Sequence, residues 1–239
     1  MKLTKNLLVD LYLATPVVRS GPFRGTYVRS YSHTVGRPKW LGTYERELHP
    51  AWNAIIAAAP QTIYDIGGAE GYYACGLLRA LPRARLEVWE ALERERELLR
   101  LNAARNGVAA RCGVHGLCDE SALDEALRRA QPDVVICDIE GGERELLTEA
   151  MLQRLHTATL VVETHGLDVF ETVRCRMQAT HEVEVIEPQQ RTIADWPLPW
   201  YLFGSEWHKH WTVQEHRVMP TPWVVGWPRR ISSDATARS

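Results

Sequence analysis

An α/β fold built on a doubly wound sheet is the architecture this sequence predicts, and three observations carry the prediction. From residue 61 to 187, short apolar runs alternate with longer charged, leucine-bearing stretches, the pattern of strands alternating with helices. Two of those runs, "VVIC" and "LVVE", are β-branched and apolar on both faces, as central strands covered by helices on both sides require. The first run leads into a glycine-rich turn, "DIGGAEGYY", where such sheets bring backbone amides and a helix N-terminus up to a ligand.

The elements follow in order. Residues 1–60 form an N-terminal extension or lid that opens with "MKLTKNLLVDLYLATPVV". Asp10 interrupts its apolar stretch, which falls well short of the ~20 residues that span a bilayer, so it reads as an amphipathic lead-in helix with no membrane partner. Residues 15–60 carry Pro and Gly punctuation with scattered basic and aromatic residues (Arg19, Arg24, Tyr27, Arg29, Tyr31, Arg37, Lys39, Trp40). Tyr44, Glu45 and Arg46 lie just before the helix that leads into the sheet. Strands are predicted at 61–66, 84–90, 132–138, 158–165 and 181–187, with a weaker one at 111–117. A seventh is expected in "RVMPTPWVVGW", where Pro220 and Pro222 place it at an edge. Arg217 in that run is expected to pair with Glu215 or Glu45. Helices are predicted over 93–107, stopped by Asn106-Gly107, and over 142–155, where Leu147, Ala150 and Met151 share one face. Residues 61–228 thus make one sheet domain. Its segment 195–228 holds six of the nine tryptophans, Trp196, Trp200, Trp207, Trp211, Trp223 and Trp227, interleaved with His208, His210 and His216. That segment reads as a substrate wall or an oligomer interface, and a homodimer through it or through the N-terminal helix is one possible assembly. The tail 229–239 is expected to be disordered.

Composition narrows the function. With 239 residues and 45% apolar content, the chain can bury one substantial core. A net charge of -2 gives no global basic field of the kind that drives sequence-independent nucleic-acid binding. Five cysteines, an odd number with no C-x-x-C, suggest neither a disulfide framework nor a zinc site, and point to a reducing, cytoplasmic setting.

The turn itself lacks the G-x-G-x-x-G of dinucleotide folds and the Lys-Ser/Thr of a P-loop. What stands there is Asp65-Ile66-Gly67-Gly68-Ala69-Glu70-Gly71. Asp65 can orient the turn or meet a cationic amine, and the glycines remove side chains where backbone approaches a ligand. Glu90 ends the second strand, where a carboxylate can accept both hydroxyls of a ribose or stand as an ordinary solvated acid.

Four blocks in order, "DIGGAEGYYA", "VWE" followed by Asn102 and Asn106, "PDVVICDIEGGERELL" and "LVVETHG", resemble the class I S-adenosylmethionine-dependent methyltransferases, and within them the FkbM-type branch. The D-x-E-G-x-E block (Asp138, Glu140, Gly141, Glu143) and the following E-x-H (Glu163, His165) are its specific part. The usual proline after the strand-end acid is replaced by Ala91. The resemblance covers residues 61–166 and implies a seven-stranded Rossmann-like sheet. It implies that Asp65, Gly67, Gly68 and Gly71 hold the methionine moiety of S-adenosylmethionine and Glu90 its ribose. Cys118 and Asp119 would flank the adenine, although Asp119 could equally cap the helix that begins near Ser121.

Ligands of such sheets collect outside the carboxyl ends of the strands, which puts Asp138, Glu140, Glu163 and His165 beside the transferred methyl, with Asp138 a candidate for both cofactor binding and catalysis. His165, with an unperturbed pKa near neutrality, is the expected general base, with Glu163 orienting it or acting in its place. Asp138 and Glu140 could instead cap the next helix through the amides near Gly141 and Gly142. Asp138, Glu163 and His165 are also a possible ligand set for a divalent cation, as in some oxygen methyltransferases. The reading that results is methyl transfer to a hydroxyl, or an amine, of a small-molecule metabolite. A nucleic-acid methyltransferase and a non-catalytic scaffold that retained the fold are the alternatives.

Overall fold

In a computed structural model, residues 2–31, 33–199, 205–215 and 222–229 are described. Trp200, His216, Arg217, Pro220 and all of the tail except Arg229 lie outside them. The elements run α1 (Lys2–Leu13), α2 (His33–Leu41), α3 (His49–Ala58), β1 (Thr62–Ile66), α4 (Tyr72–Ala80), β2 (Arg85–Trp89), α5 (Glu93–Arg105) and β3 (Cys112–His115). They continue with α6 (Glu120–Arg129), β4 (Val134–Cys137), α7 (Glu143–Leu146), α8 (Glu149–Arg154), β5 (Thr159–Glu163), α9 (Leu167–Met177), β6 (His181–Ile186), α10 (Glu206–Val213) and β7 (Trp223–Pro228).

The seven strands form one sheet in the order β3-β2-β1-β4-β5-β7-β6. β1 to β5 pair in parallel, and β7 runs antiparallel to both β5 and β6. The seventh strand is therefore interior, not at an edge as the prolines suggested. Pro222 precedes β7 and offers its carbonyl to Thr164, so its missing N–H costs the ladder nothing. The predicted helix over 142–155 is two short helices. Thr148 ends the first phase and caps α8, accepting from Met151 N at 3.2 Å. The break resets the helical phase, so Leu147 and Met151 are buried while Ala150 is exposed.

Strand alternation sends Ile63, Leu86, Val88 and Ile136 to one face, and Tyr64, Trp89, Val135 and Cys137 to the other. The first face is completed by the extension: Phe23, Leu48, Trp52 and Ile55 pack into that core with α4 and with Trp223. Asn102 and Asn106 of α5 tie the extension down as a strand neighbour would. Asn106 Oδ1 accepts from Tyr27 N and Asn102 Oδ1 from Arg29 N, at 2.8 and 2.9 Å, while their amides donate to the carbonyls of the same two residues. A third, smaller cluster of Val9, Leu13, Trp40, Leu41, Leu198 and Val213 joins α1, α2 and α10. The tryptophans divide accordingly. Trp223 is in the core, Trp227 donates to Glu184, and Trp207 and Trp211 are 70% and 45% exposed with their rings stacked 6.1 Å apart.

Candidate active site

The strand order reverses between β1 and β4, and ligands bind at such a switch point. The register pairs Ile66 with Trp89 on one side and Cys137 on the other, so the next residues, Gly67, Glu90 and Asp138, emerge abreast at the carboxyl ends of three strands. They open onto a cavity of about 560 Å³ whose other walls include Leu117, Cys118, Asp119 and Ile139. Its acids are Glu90, Asp119, Glu120, Asp138, Glu140 and Glu145, and no Lys, Arg or His is among the described residues lining it.

The turn after β1 depends on its glycines. Gly67 has φ +89°, and a Cβ there would lie 1.6 Å from the carbonyl oxygen of Asp138, so β1 and β4 touch backbone to backbone at this point. Gly71, at φ +87°, would meet Leu99 Cγ at 2.9 Å. Gly67 N and Gly68 N both donate to Trp89 O, at 2.8 and 3.1 Å. Glu90 closes the turn, accepting from Ala69 N at 2.9 Å and from Leu92 N at 2.8 Å with different oxygens. Each of those oxygens keeps a lone pair for a ligand. Asp65 is buried beneath the turn, and burial together with the charge of Glu90 pushes its pKa up to about 7. Cys118 is buried in the cavity wall, where burial and neighbouring Asp119 push the thiol up to about 12. Asp119 caps α6 by accepting from Ala122 N at 2.8 Å, while also lining the cavity.

The second group gathers where β4 and β5 end. His165 Nδ1 lies 3.0 Å from Glu143 Oε1, and its Nε2 lies 3.7 Å from Asp138 and 3.5 Å from Glu140. Glu143 was visible in the sequence only as a letter of the D-x-E-G-x-E block. It is fully buried, and its Oε1 also accepts from Ile139 N at 3.0 Å and Gly141 N at 3.2 Å. The amides of this turn are thus held by Glu143, not by Asp138 or Glu140. The clamp fixes a turn in which Glu140 itself sits at φ +56° with its side chain exposed. Asp138, Glu143 and His165 form the cluster of possible cation ligands; Glu163 stands beside Asp138 instead.

These contacts set the protonation states. Burial opposes charging His165, but the hydrogen bond to Glu143 and the charges of Asp138, Glu163 and Glu143 outweigh it and raise the ring to about 9. It is an imidazolium at neutral pH, in contrast to the near-neutral ring the sequence suggested. Asp138 is raised well above the carboxylate range by burial first and then by Glu163, whose carboxyl it meets in a hydrogen bond. A folded-state pKa above the unfolded value means that the His165 contribution to stability is complete below pH 6.5 and is lost as pH climbs through about 9. Glu143→Gln keeps the shape and removes the charge. Its expected result is a lower His165 pKa in an imidazole NMR titration, a flatter Tm between pH 6.5 and 9, and a stability loss of about 1–3 kcal/mol. An unchanged titration would remove Glu143 from this role.

The extension reaches the same region. Lys39 Nζ meets Glu70 of the glycine turn at 2.6 Å, both buried, and lies over the rings of Tyr44 and Tyr72 at 4.8 and 5.6 Å. Glu45 is buried at φ +47°, and its N donates to Glu215 Oε1 at 3.0 Å. Arg191, which the sequence did not single out, pairs with Glu47 and, at 2.8 Å, with Glu215. Arg191 is thus one cation that Glu215 meets, and the expected pairing of Arg217 lies outside the described residues.

No protein-family model matches this sequence, and no curated protein sequence matches it significantly. Solved structures do. The precorrin-6y C5,15-methyltransferase of Geobacter metallireducens GS-15 aligns with TM-score 0.53 and 17% identity over 75% of this chain and 88% of that one. A SAM-dependent methyltransferase of Agrobacterium tumefaciens aligns with TM-score 0.53 and 15% identity, covering 76% of this chain and 62% of that one. Cofactor-bound Rv0187 from MTB aligns with TM-score 0.50 and 18% identity over 92% and 96% of the two chains. The fold is the Rossmann-like, seven-stranded fold of the first two, both methyltransferases.

Proposed function

We propose that this chain is an S-adenosylmethionine-dependent methyltransferase of the FkbM type, acting on a hydroxyl or amine of a small molecule. The observation that carries the reading is the cavity at the switch point, with Glu90 at the end of β2 and six acids but no cation among the described residues of its wall. Such a wall disfavours the phosphates of nucleotide cofactors and suits a ligand bearing a sulfonium and an ammonium. Glu90 would accept the ribose hydroxyls, Cys118 and Asp119 would flank the adenine, and the Gly67–Gly71 turn with Asp65 would lie against the methionine moiety. When bound, the cofactor supplies a methyl group activated on sulfur.

The residues at the ends of β4 and β5 then serve the acceptor. Asp138 meets Glu163 in a hydrogen bond, and once ionised its carboxylate takes the proton that the acceptor hydroxyl gives up. His165, already protonated, orients and stabilises that carboxylate, and Glu143 fixes the ring. This assignment moves the base from His165 to the carboxylate pair. A divalent cation does not fit the cluster well. Glu143 Oε1 is already engaged by two amides and the imidazole, contacts that a cation would have to displace.

Three cations of the arm that the nucleic-acid alternative would use are held by internal contacts, while Arg24 and Arg29 are exposed. Arg19 donates to the carbonyls of Val17, Tyr12 and Thr15, Arg37 pairs with Asp10, and Lys39 with Glu70. Among the described residues no helix is long and apolar enough to cross a membrane. We place the chain in the reducing cytoplasm, with all five cysteines free. A homodimer would bury the exposed Leu7, Leu8 and Leu11 of α1 or Trp207 and Trp211 of α10. Light scattering at micromolar concentration is expected to give twice the chain mass, and a monomer would end that assignment.

Calorimetric titration tests the cofactor. S-adenosylmethionine is expected to bind in the micromolar range, with Glu90→Ala weakening it about 100-fold through two lost charge-assisted hydrogen bonds. Excess chelator should leave both values unchanged. Absence of binding by folded wild-type protein would overturn the methyltransferase reading, and binding without turnover on any acceptor would favour the scaffold.

A further inference from the structure

A second cavity, of about 450 Å³, lies on the α6 face of the sheet beside β2 and β3. Strand alternation builds its floor, because Tyr64 on β1, Trp89 on β2 and His115 on β3 point to the same side. The three rings pack as a unit, Tyr64 edge-on to Trp89 at 5.2 Å and Trp89 stacked on His115 at 5.1 Å. Tyr64 is locked by donating its hydroxyl to the carbonyls of Ala126 and Ala130, at 2.9 and 2.7 Å. The opposite wall sets the methyl groups of Ala122 and Ala126 of α6, and of Ala130 just beyond it, between Glu125 and Arg129. Larger residues at that spacing would close the space.

The cavity holds two arginines, Arg85 and Arg129, and two carboxylates, Glu87 and Glu125. His115 Nε2 meets Glu87 at 2.5 Å, and Arg129 pairs with Glu125 on α6. That leaves Arg85, which also lines the cavity and makes no ion pair among the described residues. An aromatic floor, a row of alanines and one exposed guanidinium with no ion pair among the described residues are complementary to a flat aromatic ring system carrying one negative charge. We propose that this groove is a second small-molecule site, distinct from the cofactor cavity, for an aromatic carboxylate of about two fused rings. Its ring lies between the Trp89–His115 stack and the alanines, and its carboxylate meets Arg85. The proposal does not rest on the identity of the cofactor.

The probe is 2-naphthoate, with uncharged 2-naphthamide as its control, titrated into the full chain by calorimetry and ligand-observed NMR. 2-Naphthoate is expected to bind, and Arg85→Ala to weaken it about tenfold while leaving 2-naphthamide unchanged. Ala126→Leu, which fills the groove, should abolish binding of both. Because Trp89 and Leu117 also line the cofactor cavity, the titration is repeated with saturating S-adenosylhomocysteine, and 2-naphthoate should still bind. No binding to wild-type protein at millimolar probe would overturn the proposal. So would unaltered affinity in Arg85→Ala, a surface change that leaves the fold intact, or full displacement by S-adenosylhomocysteine. Should Ala126→Leu not fold, the Arg85→Ala comparison decides alone, and a cofactor that fails to bind leaves that comparison unaffected.

Discussion

Gly67→Ala is expected to cost roughly 3–5 kcal/mol of folding stability and to abolish cofactor binding in whatever protein remains folded. Two independent penalties meet at this position. An L-residue at φ +89° is strained before it touches anything, and its Cβ would stand 1.6 Å from Asp138 O. That oxygen belongs to the backbone at the end of β4, so relief requires β1 and β4 to separate where Glu90 and Asp138 emerge. Against a total stability of about 5–15 kcal/mol, the loss shows directly in a urea melt. Gly107→Ala is the matched comparison. Gly107 has φ +69° and open space within 4 Å of where a methyl group would stand, so it should lose only about 1 kcal/mol. Equal losses in the two variants would show that the contact with Asp138 does not matter.

Asp138→Asn is expected to lower kcat about 10³-fold while leaving cofactor affinity within a few-fold of wild type. Asp138 stands at the switch point beside Glu163 and faces the imidazolium of His165. Asparagine keeps the outline, cannot take a proton, and leaves the imidazolium without one of its counter-charges. The same pair sets the pH dependence. Because Asp138 is raised by burial and by Glu163, the rate should increase with pH through a midpoint above the ordinary carboxylate range, and that limb should shift in Glu163→Gln. Single-turnover methyl transfer to an acceptor found by screening measures both. A variant with wild-type kcat would remove Asp138 from the chemistry and return attention to His165.

What the sequence made legible is what residue type alone enforces. The strands around β1, β2, β4, β5 and β6 announced themselves by apolar runs, and the turn at 65–71 by glycines that no other residue replaces. The position of β7 was not legible, since a proline marks a missing donor without saying whether the ladder needed it there. The split between α7 and α8 was hidden because Thr148 is compatible with a helix interior as well as with a cap. Glu143 was harder still. Its importance comes from a side chain that folds back on Ile139 and Gly141 and then meets His165, 22 residues further on. The charge state of His165 follows from that encounter, so no reading of the histidine alone could supply it. Arg191 and Glu47, remote from each other along the chain, are joined only by the fold.

The buried pair of Lys39 and Glu70 bears on how such a molecule can change over time. One partner belongs to the extension and the other to the turn at the head of the sheet, and the carbonyl of Glu70 is also held by Asn102. Substituting either charge alone strands its partner away from water. A chimera that borrowed a foreign extension to accept a new substrate would therefore have to import a matching residue at position 70, and one suited to Asn102, in the same exchange. Variation in the extension is yoked to the glycine turn at the head of the sheet, and changes there should arise by paired replacements more readily than by grafting the first sixty residues.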